Sequence, residues 1–75
     1  MPHKKPSPYQ YVRDRYGVPA RRGARIRFEG RPGTVVAPRG AYVGIRLDGE
    51  KRIGNYHPTW HLDWLIFYLN EGLAL

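Results

Sequence analysis

The chain has 75 residues, 13 Lys and Arg against 6 Asp and Glu, and no Cys. That length holds one small domain, which hides only about 60% of the surface its unfolded chain exposes. Without Cys there is no disulfide to staple it and no thiolate zinc or iron–sulfur site. The net charge of +7 is uneven: residues 1–52 carry 13 bases and four acids (+9), and residues 53–75 carry no Lys or Arg and two acids (−2). Such asymmetry points to an anionic partner for the basic part, against the plainer reading of a basic, soluble surface.

Residues 1–7, with Pro2, His3, Lys4, Lys5 and Pro6, read as a flexible basic tail. No apolar run follows, so this is not a secretory signal. An amino-terminal copper site through His3 is rejected, because that chemistry needs the amide N–H that Pro2 lacks. The longest apolar run, residues 64–69, is six residues and far short of the ~20 that span a bilayer. No membrane partner is expected, and the location expected is the cytoplasm.

A short helix is predicted over residues 8–16. Ser7 can cap it, Pro8 suits its first position, and Gly17 with Pro19 ends it. Tyr9, Val12 and Tyr16 share one face and are expected to dock on the body, because so short a helix is marginal alone. From Gly23 the period becomes two. Ala24, Ile26 and Phe28 alternate with Arg25, Arg27 and Glu29, a half-buried strand. Residues 30–33 read as a turn, residues 34–37 as a second strand and residues 38–40 as another turn. Residues 42–47 form a third strand with Val43, Ile45 and Leu47 on one side. Asp48 and Gly49 signal a hairpin, followed by strands over residues 51–57 and 61–67. Between these last strands, Thr59 is expected to cap a one-turn helix leading to Trp60. Trp60 and Trp64 read as core or plug residues.

Five short strands joined by tight turns must close, or nearly close, to protect their edges. The fold class expected is all-β: a small five-stranded barrel over residues 23–68, with the helix before it and a C-terminal tail over residues 69–75. Gly23, Ile26, Phe28, Gly30, Gly33 and Val35 alternate around an obligatory glycine in a way that resembles a KOW-type module. That family, found in transcription elongation factors and ribosomal proteins, implies a Src-homology-3-like barrel. The likeness covers roughly residues 23–57, and the short connection over residues 38–41 departs from it by lacking an extended binding loop. Residues 16–20 and 56–60 are similar to segments of small proteins of tailed bacteriophages and prophages, a context rather than an activity.

For the hairpin of the third and fourth strands, a loop over residues 48–50 sets Ile45 opposite Ile53, both inward. Outward it pairs Tyr42 with Tyr56, Gly44 with Gly54 and Arg46 with Arg52. Like charges placed opposite each other cost stability, which hints at an anion bound between them. Tyr rings stack bases and Arg contacts phosphate. The nucleic-acid surface expected is therefore Arg25, Arg27, Tyr42, Arg46, Arg52 and Tyr56, extended by Arg21, Arg22, Arg31 and Arg39 in loops. With no recognition helix, contact is to backbone phosphates and largely independent of sequence, on DNA or RNA. The plainer reading of the two tyrosines is an ordinary cross-strand pair.

His57, His61 and Asp63 read as polar residues around a turn rather than a metal site, since Pro58 forbids one helix carrying both His. No cofactor and no catalytic residue is expected: the one Ser caps a helix, and Asp48 and Glu50 lie in a turn. The alternative function is a protein-binding module, an inhibitor or adaptor of a host complex or a virion component. It would use Trp64, Ile66, Phe67 and Tyr68, whose lack of alternation suggests two covered faces, a host or virion partner, or a homodimer seam.

Overall fold

The computed structural model describes residues 7–65; the tail over residues 1–6 and residues 66–75, including Ile66, Phe67 and Tyr68, lie outside the described residues. The elements are α1 (Gln10–Tyr16), β1 (Arg25–Phe28), β2 (Arg31–Arg39), β3 (Tyr42–Leu47), β4 (Gly54–Tyr56) and β5 (Leu62–Trp64). The strands form one antiparallel sheet in the order β4-β3-β2-β1-β5. Its ends curl toward each other. The Phe28 ring on β1 meets the Tyr56 ring on β4 edge-on at 4.9 Å. Three strand spacings in a flat sheet would hold those strands about 14 Å apart. The result is a curled half-barrel with one short helix.

The helix starts two residues later than expected. Ser7 Oγ accepts the Tyr9 N–H at 3.1 Å, the Ser7 carbonyl accepts the Gln10 N–H at 2.9 Å, and Tyr9 takes the N-cap position. At the other end Gly17 adopts φ 66° and donates its N–H to the Arg13 carbonyl, a left-handed cap that a side chain would strain. Tyr9 and Val12 are buried, and Tyr16 and Val18 pack against the same cluster. The tyrosine face docks on the body, as its spacing predicts. Burial raises the Tyr9 pKa above the ordinary tyrosine value, and its hydroxyl has no hydrogen-bond partner among the described residues. The docking is therefore apolar packing.

The core is Ile26, Val35, Val43, Ile45 and Leu47 from the inward positions of the sheet, with Ala20, Ala24 and Leu62. The expected turn over residues 30–33 is instead the two-residue turn Glu29–Gly30, both with positive φ, closing Phe28 against Arg31. Pro32, Gly33 and Pro38 therefore lie inside β2, which is nine residues rather than four. Gly33 is a close-approach glycine: a Cβ there would come within 2.9 Å of Leu47 Cδ2 and 3.0 Å of the Arg46 carbonyl oxygen. Pro32 turns its carbonyl to the Asp48 N–H (2.9 Å), so its missing donor falls one residue past the last β2–β3 pair, where the ladder has ended. A bulge between Val35 and Ala37 resets the alternation, so that Val35 faces in and Ala37 sits with Gly44 on the outer face.

The fourth strand corrects the expected register by one residue. Gly54 pairs with Ile45, Asn55 with Gly44 and Tyr56 with Val43, and residues 51–53 leave the ladder. Tyr56 gains the inward contact with Phe28, its ring lying where a Gly54 Cβ would stand, 2.9 Å away. Ile53 is pushed outward, 44% exposed, and its Cγ2 covers Gly44 from outside.

After β4 the chain turns through buried Pro58 and returns to β1. Ile26 pairs with Trp64 and Phe28 with Leu62, and the Glu29 N–H donates to the His61 carbonyl at 3.1 Å. Trp64 Nε1 donates to the Pro58 carbonyl at 2.8 Å, tying that turn to β5. The expected one-turn helix after Thr59 is absent; the Thr59 N–H is held by His57 Nδ1 at 3.1 Å instead. No helix among the described residues is long and apolar enough to cross a membrane.

Candidate nucleic-acid interface

The outward positions of β1, β2 and β3 make one continuous face. Arg25 lies opposite Thr34, and Thr34 opposite Arg46, so both guanidinium groups flank one threonine. Arg27 is two residues along β1, between Pro32 on one side and Asp63 on the other. Arg27 and Arg46 are exposed and have no carboxylate within 4 Å among the described residues. Arg25 is engaged: its two terminal nitrogens donate to the Asp48 carboxylate at 2.9 and 2.8 Å, and one also donates to Thr34 Oγ1 at 2.7 Å. Asp48 answers to two cations, since Arg46 also lowers its pKa electrostatically.

The Arg25 hydrogen bonds, first, hold the Asp48 carboxyl below the usual aspartate range, and burial opposes them only in part. A carboxylate with a lowered folded-state pKa stabilises the fold above its unfolded value and loses that contribution as pH falls through the folded value. Acid unfolding between about pH 4 and pH 2 should therefore be less steep in Asp48→Asn than in the parent, read as melting temperature against pH. The shift will be small because both groups are exposed and salt-screened. Parallel acid limbs in the two proteins would show that the pair contributes nothing.

The other predicted cations are dispersed. Arg31 pairs with Glu50 at the end of the sheet. Arg39 is exposed and donates Nε to Asn55 Oδ1 at 3.1 Å. Arg52 is exposed in the connection before β4, so the Arg46–Arg52 pair and the like-charge argument built on it do not hold. Arg21 and Arg22 are exposed in the connection between α1 and β1, Arg22 close enough to act on Tyr9 electrostatically.

The expected Tyr42–Tyr56 pair also dissolves, and something else takes its place. Tyr42 points outward, 49% exposed, while Tyr56 points inward. The one-residue shift of β4 brings His57 beside Tyr42, with ring centroids 6.2 Å apart and nearly perpendicular. His57 in turn lies flat against Trp60, 4.4 Å between centroids and 12° between planes, and meets Tyr16 of α1 edge-on at 5.0 Å. The Arg15 guanidinium stands over the Tyr16 ring at 5.3 Å. Trp60, expected inside, is 68% exposed. Three segments far apart in the chain thus build one aromatic cluster, with Tyr42 and Trp60 exposed and Tyr16 and His57 half-buried.

No protein-family model, curated protein or solved structure matches the chain. The site therefore rests on its own geometry.

Reasoning from the sequence finds Tyr42 and the outward arginines but misses Tyr16, His57 and Trp60 as site residues. No local pattern marks them, because Tyr16 meets His57 across 41 residues of chain and only in the folded molecule. His57, His61 and Asp63 go to separate places, the aromatic stack, Glu29 (3.7 Å) and the position opposite Arg27. Trp64, read as a core or plug residue and in the alternative function as an interface residue, is half-buried, packs against the core and has its indole N–H satisfied.

Proposed function

We propose that this protein is a small non-enzymatic nucleic-acid-binding module, a curled barrel of the Src-homology-3-like, KOW-like kind. Its setting in this proposal is an accessory role for a phage or prophage in the bacterial cytoplasm. One observation carries the reading. A single outward face bears rings at one end, exposed Tyr42 and Trp60 with half-buried His57 between them, and Arg46, Arg25 and Arg27 at the other. Tyr42 and Arg46 are four residues apart on one strand, about 13 Å, a span over which a nucleic-acid chain offers both bases and phosphates. The +7 net charge gives that face an attractive field at long range.

Titrating labelled oligonucleotides at salt concentrations from about 50 to 200 mM tests it. Five engaged phosphates give a log–log slope near −4.5 on duplex DNA and about −3.5 on a single strand. No binding at low salt overturns the reading. A stoichiometric, nuclease-resistant protein partner from bacterial lysate in that case would assign the molecule to protein binding.

A further inference from the structure

We propose that the Trp60–His57 stack is a receptor for one unpaired base, so that the protein binds single-stranded nucleic acid in preference to duplex. This rests on the nucleic-acid reading and sharpens it.

Trp60 is held although it is exposed. One of its faces lies flat on His57, and at 68% exposure the other is open to solvent. His57 is itself fixed from three sides, edge-on by Tyr16 at 5.0 Å and Tyr42 at 6.2 Å, and by the Thr59 N–H at its Nδ1. The platform is therefore ordered before any ligand arrives, which removes part of the entropy loss on binding. Trp60 does not stand alone: His57 joins it to the exposed Tyr42 ring, and a contiguous apolar patch of this kind is the sort of surface that binds a partner.

The chemistry around the stack selects the occupant. Arg15 stands over Tyr16, and Arg39, paired with Tyr42 across β2 and β3, is exposed. Every described carboxylate is engaged or placed elsewhere: Asp14 with Gln10, Asp48 with Arg25, Glu50 with Arg31, Glu29 beside His61, Asp63 opposite Arg27. Flat rings bordered by cations that pair with no carboxylate among the described residues fit a ligand with flat rings on an anionic backbone. A base offers its face to such a platform only where it is not already stacked between neighbours in a duplex.

The probes are an oligothymidylate and a duplex of equal length, followed by intrinsic fluorescence in Trp64→Phe, which leaves Trp60 as the reporter. The expected result is quenching of Trp60 by the single strand, and single-strand affinity at least tenfold above duplex. Trp60→Ala should weaken single-strand binding by about fivefold or more, and by more than it weakens duplex binding, while the salt slope stays as it was. Trp60→Phe, which keeps a stacking ring, should recover most of the loss. Because Trp60 is outside the core, circular dichroism of these variants should match the parent. Equal affinity for strand and duplex, or an unchanged Trp60→Ala, overturns the inference while leaving nucleic-acid binding in place. If neither probe binds at low salt, the broader reading falls first. In that case, capture of an acidic, tyrosine-rich peptide by the parent and not by Trp60→Ala would assign the platform to a protein partner and overturn the inference too.

Discussion

Replacing Ile26 with Ala should cost about 2–5 kcal/mol of folding stability, the range for truncating a fully buried aliphatic side chain. Ile26 is fully buried at the middle of β1, and it pairs with Gly33 of β2 on one side and Trp64 of β5 on the other. Deleting its outer methyls opens a cavity where three strands meet. A 75-residue domain is stable by roughly 4–11 kcal/mol, so the loss is a large share of the whole. With a urea slope near 1 kcal/mol per molar, the midpoint should move down by about 2 M or more. Ile53→Ala is the control of matched chemistry. That side chain is 44% exposed and covers Gly44 from outside, so it should cost under about 1 kcal/mol. Equal losses in the two variants would mean that Ile53 is an inward residue and that the register of β4 is the one expected from the sequence. Both melts can be followed by Trp64, whose indole N–H is bonded to the Pro58 carbonyl.

That contrast also marks where the sequence stops being legible. The end of the helix and the strand over Tyr42–Leu47 follow from local rules: a left-handed glycine, then strict alternation of apolar residues. The turn at Glu29–Gly30 is harder, because Gly and Pro punctuate the chain at residues 30, 32 and 33 for different reasons. Gly30 supplies a positive φ, Gly33 supplies clearance beneath Leu47, and Pro32 is tolerated one residue past the last β2–β3 pair, where the ladder has ended. Reading all three as one turn shortens β2 from nine residues to four. The register of β4 was beyond local reasoning altogether. Ile53 inward and Tyr56 inward are both compatible with alternation. The choice is made by the contact of Tyr56 with Phe28, 28 residues earlier, which exists only once the sheet curls. The candidate site inherits that choice: the same shift that takes Tyr56 inside brings His57 beside Tyr42 and completes the aromatic cluster. The exposure of Trp60 could not be read either, because burial is the ordinary fate of a large aromatic ring in a small domain.

Phosphate contact and base stacking should separate in the salt dependence. The double variant Arg27→Gln, Arg46→Gln removes two outward charges that share no carboxylate within 4 Å among the described residues. If each guanidinium displaces one counterion, the log–log salt slope on a single strand should become shallower by about 1.4, with affinity at low salt falling by more than tenfold. Folding stability should change little, because both side chains are exposed and leave no buried partner behind. Arg25→Gln is expected to differ. It breaks the bond to Asp48 and leaves that carboxylate beside Arg46, so it changes the field of the patch as well as its charge count. Trp60→Ala, by contrast, should move the affinity and leave the slope alone, since a stacked ring releases no counterion. If the double variant keeps the parent slope, the phosphates lie elsewhere on the basic surface, and the face that joins Tyr42 to Arg46 is not the path of the strand. A shallower slope together with an intact Trp60 effect would place the backbone along β1–β3 and one base at the stack, which is the geometry that a sheet with rings at one end and guanidinium groups at the other imposes on its ligand.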